Sequence, residues 1–321
     1  MHETSVKVVI IVAFEPDGGP VPGEARLWWE REQFTQTIDV PGAYGPVRSN
    51  AAGLLCLVAG VGAARAAASV MALGLSARLD LSQTYFLVTG VAGIDPAQGS
   101  LGSVVLPEFV VDGDLTHELD GREIPAVWPD GFVPIGKSVP YEQPRANRFN
   151  GDDGIVHHLN ADLVAWAVEQ VSAIKLLDTP AMAARRVQFA PAATAHRPPS
   201  VLRGDELSSS TFFHGRHMSE RAARWVDYQT SGAGRYSITA MEDAGILTAL
   251  RALAQAGRVD VGRVLVVRGA SNFDQQRAGI SAAESLAETK VATYSAYLPA
   301  LENVYRVASH IAHALTDRKR T

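Results

Sequence analysis

Several short runs in this chain carry apolar residues at every position rather than at alternate ones. Val8-Val9-Ile10-Ile11-Val12, Leu54-Leu55-Cys56-Leu57-Val58 and Val264-Leu265-Val266-Val267 are the clearest. A strand that is apolar on both faces must be covered on both faces, which points to a sheet sandwiched between helices. The spacing predicts strands over residues 6–13, 54–59, 85–89, 103–111, 236–240 and 264–268. Helices are expected between them, over residues 62–75, 161–177, 219–229, 242–256 and 282–290. Near Pro299 a last helix begins, with Leu301, Val304, Tyr305, Ala308, Ile311, Ala312 and Leu315 recurring at helical spacing. Alternating elements of this kind imply an α/β protein, a three-layer α/β/α sandwich around a central sheet. A single domain is expected over residues 1–321. Residues 112–154, rich in Pro, Gly, Asp and aromatics, read as a long loop-rich insertion on the sheet edge.

Composition narrows the function classes. With 29 Lys+Arg against 34 Asp+Glu the net charge is −5, which argues against a nucleic-acid partner. The only cysteine, Cys56, excludes an internal disulfide framework and a cysteine zinc cage. No stretch supplies the roughly 20 consecutive apolar residues of a transmembrane segment, because Arg65 and three glycines break the best run, residues 51–75. Residues 6–12 are too short for a secretory signal, so the expected location is cytoplasmic, or periplasmic where a leader has been removed.

Familiar motifs fail on inspection. Gly60-Val61-Gly62 follows a strand, but Arg65 holds the place of the third glycine of a dinucleotide fingerprint. Neither a phosphate-binding P-loop nor a nucleophile elbow is present. His310, His313 and Asp317 fall on the polar face of the last helix, and the adjacent His157 and His158 cannot easily share an ion. No metal site is expected.

Three segments do converge on one chemistry. Thr239-Ala240-Met241-Glu242-Asp243 ends a strand and opens a helix, where a carboxylate could accept two hydrogen bonds from a vicinal diol, or simply complement the helix dipole. Arg268-Gly269-Ala270-Ser271-Asn272-Phe273-Asp274 brings an amide to the end of a strand. Thr89-Gly90-Val91-Ala92-Gly93 is a glycine-rich turn where a ligand could approach the backbone.

Together these segments resemble the nucleoside phosphorylase and nucleosidase superfamily. Glu15, Pro22-Gly23-Glu24 and Trp28, Gly93-Ile94-Asp95-Pro96, Val111-Asp112-Gly113-Asp114, Arg122-Glu123-Ile124-Pro125 and Thr211-Phe212-Phe213-His214-Gly215 look more narrowly like the purine nucleoside permease branch. The resemblance runs from about residue 6 into the last helix. It implies a nucleoside phosphorylase-like fold with a mixed central sheet and a homo-oligomer. A purine nucleoside or base is the implied ligand, with inosine or guanosine the guess.

The same resemblance assigns roles. Glu242 would grip the ribose hydroxyls with Met241 against the sugar. Phe212 and Phe213 would lie beside the purine, and Thr89, Gly90 and Val91 would line the nucleoside site. Asn272 stands where many members carry an aspartate. An amide can hydrogen-bond purine N7 but supplies no proton, leaving Asp274 as an alternative acid. Glu24, opening the helix with Trp28 and Trp29, matches the glutamate that activates water; Glu15 and Asp17 are rivals. No cofactor is implied, although inorganic phosphate could serve as co-substrate through Arg48 or Arg65. Val88 and Val91 depart from the phosphate-binding pattern. The reaction would be N-glycosidic cleavage, by water or phosphate; the alternative is a nucleoside-binding component of uptake without chemistry.

Overall fold

The computed structural model describes residues 4–16, 18–143, 145, 154–189, 192–288 and 296–318. Its core is a mixed sheet with flanking helices, as the all-apolar strands require. Val8–Val12, Leu54–Val58 and Val264–Phe273 are buried along their whole length. Within the sheet, Tyr85–Ile94 pairs parallel with Val8–Val12, which pairs parallel with Leu54–Val58. Antiparallel partners extend both ends: Val47–Ser49 beside Leu54–Val58, and Val156–His158 beside Phe109–Asp112.

Helix Ala63–Gly74 packs against helix Asp243–Gln255, and helix Tyr297–Asp317 lies over Val264–Phe273 and Tyr85–Ile94. The last helix turns Leu301, Val304, Ala308, Ile311, Ala312 and Leu315 inward, the face its periodicity marks. Burying such a face is what stabilises a helix of this kind; each large apolar side chain contributes roughly 1.5–3 kcal/mol.

Several boundaries differ from the sequence expectation, and each has a local cause. The strand expected over 103–111 is two, Val104–Leu106 and Phe109–Asp112, interrupted at Pro107, which cannot donate to a ladder. The helix expected over 161–177 stops at Val171, and a further helix, Pro180–Arg186, starts on a Thr179 cap whose hydroxyl accepts from the Met182 N–H. The helix expected over 219–229 begins earlier, at Arg216. Part of the 282–290 helix is present as Ala282–Glu288; its last two residues lie outside the described ones. The stretch 112–154 is not wholly irregular. Thr116–Glu118 and Phe132–Pro134 form an antiparallel hairpin, anchored where Arg224 reaches Asp130 at 2.9 Å and Arg221 stacks 3.9 Å over Phe132.

The difference that matters most concerns the glycine-rich turn expected over 89–93 and the strand expected to end at Arg268. Tyr85–Ile94 and Val264–Phe273 continue as strands through those residues and pair with each other in parallel, with one irregularity at Ser271 that brings Asn272 opposite Gly93.

Candidate functional site

Because Val264–Phe273 takes one edge of Tyr85–Ile94 along almost its whole length, the other edge is shared by two strands. Val8–Val12 runs parallel and reaches Val88; Tyr236–Ala240 runs antiparallel and covers only Gly93 and Ile94. Their carboxyl ends therefore meet over Thr89–Ala92, where the ladder has a gap. Glu24 fills it. Its Oε1 accepts from the Val91 N–H at 2.8 Å and its Oε2 from the Ala13 N–H at 2.7 Å, so a side chain supplies the acceptors a strand would have given. The chain returns there because Glu24 N–H donates to Phe14 C=O, while Glu15 accepts from Gly23 N–H and pairs with Arg26 at 2.8 Å.

Behind Glu24 lies Arg268, 1 % exposed. Its Nε donates to Asp243 Oδ2 at 2.9 Å and its Nη2 to Asp243 Oδ1. The same guanidinium stands 3.7 Å from Glu24 and 3.5 Å from Glu242. Gly90 is required for this arrangement, since a Cβ there would collide with the Glu24 carboxylate and Arg268 Nη1. Glu206, wholly buried, completes the cluster beside Asp243. Neither of its oxygens has a donor among the described residues. Burial, then the adjacent Asp243, raises its carboxyl well above the usual range.

Glu242 faces the cleft from the start of helix Asp243–Gln255. Its Oε1 accepts from Gly62 N–H at 3.0 Å, at the amino end of helix Ala63–Gly74, where Gly62 has φ +88°. Burial outweighs Arg268 and raises its carboxyl above the usual range. Glu24 is pushed up to about 7, chiefly by burial; Arg268 opposes this and Glu242 adds to it. An acid near neutrality on a cleft wall is suited to proton transfer.

A cavity of about 200 Å³ connects these groups: Glu24, Met241, Glu242, Val91, Phe212 and Asn272 all line it. Asn272 donates from Nδ2 to Phe273 C=O and accepts from Ser271 Oγ, each at 3.0 Å, leaving one N–H and one acceptor position for a ligand.

The remaining expected residues are placed differently. Phe213 is buried near Trp225 and Leu207, facing away from the cavity, whereas Phe212 is 52 % exposed at its rim. Thr89 is buried with its hydroxyl unpartnered among the described residues, and Gly90 forms the floor under Glu24. Asp274, 1 % exposed, lies behind Gly93 and accepts from Ser219 and Tyr236; burial pushes it up to about 7. Glu15 is used in holding the loop, and Asp17 lies outside the described residues.

Arg48 stacks on Trp29 at 3.8 Å and Arg65 on Tyr44 at 5.1 Å. No Lys or Arg among the described residues lines the 200 Å³ cavity. His313 pairs with Glu32 and His158 with Glu108. No group of three or more potential metal ligands occurs among the described residues.

Sequence reasoning missed Arg268, Glu206 and the second role of Asp243. The available signal was a charged residue inside the otherwise apolar run from Val264, which demands a buried counter-charge.

Comparison with known proteins places the chain in a family and a fold. A family model described as "Purine nucleoside permease (NUP)" matches residues 5–320. A protein of Schizosaccharomyces pombe named as a probable purine nucleoside permease is 32 % identical over 274 residues, 82 % of this chain and 78 % of that protein. The purine nucleoside permease of Candida albicans is 28 % identical over 301 residues, covering 92 % and 72 % of the two chains. Among solved structures, the 5′-methylthioadenosine/S-adenosylhomocysteine nucleosidase of Colwellia psychrerythraea superposes with a TM-score of 0.58 at 16 % identity, over 98 % of this chain and 97 % of that one. The futalosine hydrolase of Helicobacter pylori gives 0.57 at 13 %, over 97 % and 98 %. At these identities the likeness shows a shared fold.

Proposed function

The chain belongs to the purine nucleoside permease family, and from that premise we propose that its cleft binds a purine nucleoside. The sugar diol would rest on Glu242 and the base between Asn272 and Phe212. The observation that carries this reading is that Glu242, at the start of a helix, and Asn272, on a strand 30 residues later, line one cavity. Bound nucleoside without chemistry is the role that fits a component of uptake. Among the described residues no helix is long and apolar enough to cross a membrane, so the chain would capture the nucleoside rather than conduct it.

A second reading, hydrolysis of the N-glycosidic bond, is favoured by Glu24. Water held by Glu24 would attack C1′ and give its proton to that carboxylate, the C1′–N9 bond would break, and the bonding pair would leave on the purine. Asn272 would stabilise the leaving purine through a hydrogen bond, and solvent would supply the proton an amide lacks. Phosphorolysis is disfavoured because no cationic side chain among the described residues lines the cleft to receive phosphate.

Calorimetric titration with inosine, guanosine and adenosine, followed by chromatography for free base with and without phosphate, tests both readings. Saturable binding without base release supports capture alone. Phosphate-independent base release supports hydrolysis. No binding of any nucleoside would end the proposal.

A further inference from the structure

The nucleoside cleft is not closed at its base end. Val91, Phe212, Ser271 and Asn272 also line a second cavity of about 470 Å³, more than twice the volume of the first. The sugar-side groups Glu24, Met241 and Glu242 line only the smaller cavity. Pro16, Val21, Pro22, Leu286 and Tyr297 line only the larger one. A ligand with its diol on Glu242 and its base at Asn272 therefore points the base, rather than the sugar, into the larger space.

That space is too big for a bare purine. Even at the loose density of liquid water, about 30 Å³ per non-hydrogen atom, a hypoxanthine ring occupies only about 300 Å³. Among the described residues, none of its lining side chains is charged. The Tyr297 hydroxyl, at its far side, already donates to Pro22 C=O at 2.8 Å. A phosphate or carboxylate placed there would give up hydration and meet no cation among the described residues, whereas an apolar group would gain burial.

We propose that the preferred ligand is a purine nucleoside whose base carries an apolar substituent at the six-position, the edge adjoining the N7 that Asn272 would contact. The substituent fills the chamber between Val21, Leu286 and Tyr297. This rests on the nucleoside-binding reading above and names the class of nucleoside.

The test is calorimetric titration of the full chain with adenosine, N6-benzyladenosine and 5′-butylthio-5′-deoxyadenosine. N6-benzyladenosine is expected to bind at least about tenfold tighter than adenosine, the gain for burying one aromatic ring. Leu286→Trp, which fills the chamber from an exposed position, should lower the N6-benzyladenosine-to-adenosine affinity ratio about tenfold. Equal or weaker binding of N6-benzyladenosine, with adenosine still bound, overturns this inference and leaves nucleoside binding intact. A gain for the 5′-butylthio compound alone also overturns it, because the chamber would then serve the sugar end. Binding of none of the three removes the nucleoside reading and this inference with it.

Discussion

Arg268 and Asp243 form a forked ion pair inside the protein, Nε to Oδ2 at 2.9 Å alongside Nη2 to Oδ1, and it fixes the guanidinium face that looks toward Glu24 and Glu242. Both partners are buried. A pair of this kind is held by geometry as much as by charge, and the cost of breaking it from one side is large.

Arg268→Met therefore destabilises the protein by about 3–5 kcal/mol at pH 8, because Asp243, Glu24 and Glu242 lose their common cation. Lowering the pH to 5 restores part of the loss, as the stranded carboxylates take up protons. Urea unfolding at the two pH values measures this. A variant equally stable at both would contradict it.

Stability of the parent chain falls as pH rises from about 5 to above 7. Glu24 and Asp274 titrate near 7 when folded and near 4.5 and 3.8 when unfolded, so between those values the folded state holds protons that the unfolded state has released. The stabilisation is complete below the unfolded values and is lost as pH passes 7; Glu206 and Glu242 act in the same direction. Glu24 and Asp274 each contribute a few kcal/mol at most, at about 1.4 kcal/mol per pH unit between the folded and unfolded titration. Melting temperatures at pH 5, 6, 7 and 8 show the trend, and Glu24→Gln with Asp274→Asn flattens it. A parent curve that rises with pH would refute the assignment.

Gly90→Ala displaces Glu24 from the gap between Val91 and Ala13, since the added methyl has only carboxylate and guanidinium to meet. The expected cost is about 1–3 kcal/mol, as for other overpacked sites, together with loss of nucleoside binding. Thermal unfolding and calorimetry check the two effects separately.

Glu242→Gln weakens nucleoside affinity about 10- to 100-fold, the worth of a hydrogen bond to a charged acceptor, and keeps an oxygen for the Gly62 N–H. The melting temperature should move by only a few degrees. Unchanged affinity for inosine would remove Glu242 from the sugar site.

Asn272→Asp places an ionisable carboxyl on the cleft wall opposite Gly93. If the cleft hydrolyses nucleosides, base release should increase at least tenfold and gain an acidic limb, the behaviour of an added general acid. Chromatography of adenosine incubations from pH 5 to 8 reads it. A slower variant would show that the amide itself is required.

The all-apolar runs, the helical periodicity of Tyr297–Asp317 and the likeness of Met241-Glu242 to a sugar-gripping motif were legible in the sequence, because burial on both faces, period and motif are local properties. Glu242 could be named from its place where a strand gives way to a helix, and Asn272 from its place late in a strand. Which of two adjacent phenylalanines faces the cleft could not be, nor that Thr89–Gly93 and Ser271–Phe273 are strand rather than turn, since glycine and asparagine there are tolerated by pairing supplied from elsewhere. The chain alone set an α/β fold and a set of candidate groups. Only tertiary structure decided that Glu24 would bridge a ladder gap, that Arg268 would gather three carboxylates from two distant segments, and that Asp274 would turn away from the cleft. These arrangements depend on which strands abut and where each ends, and contacts across tens to hundreds of residues leave no periodic trace in sequence.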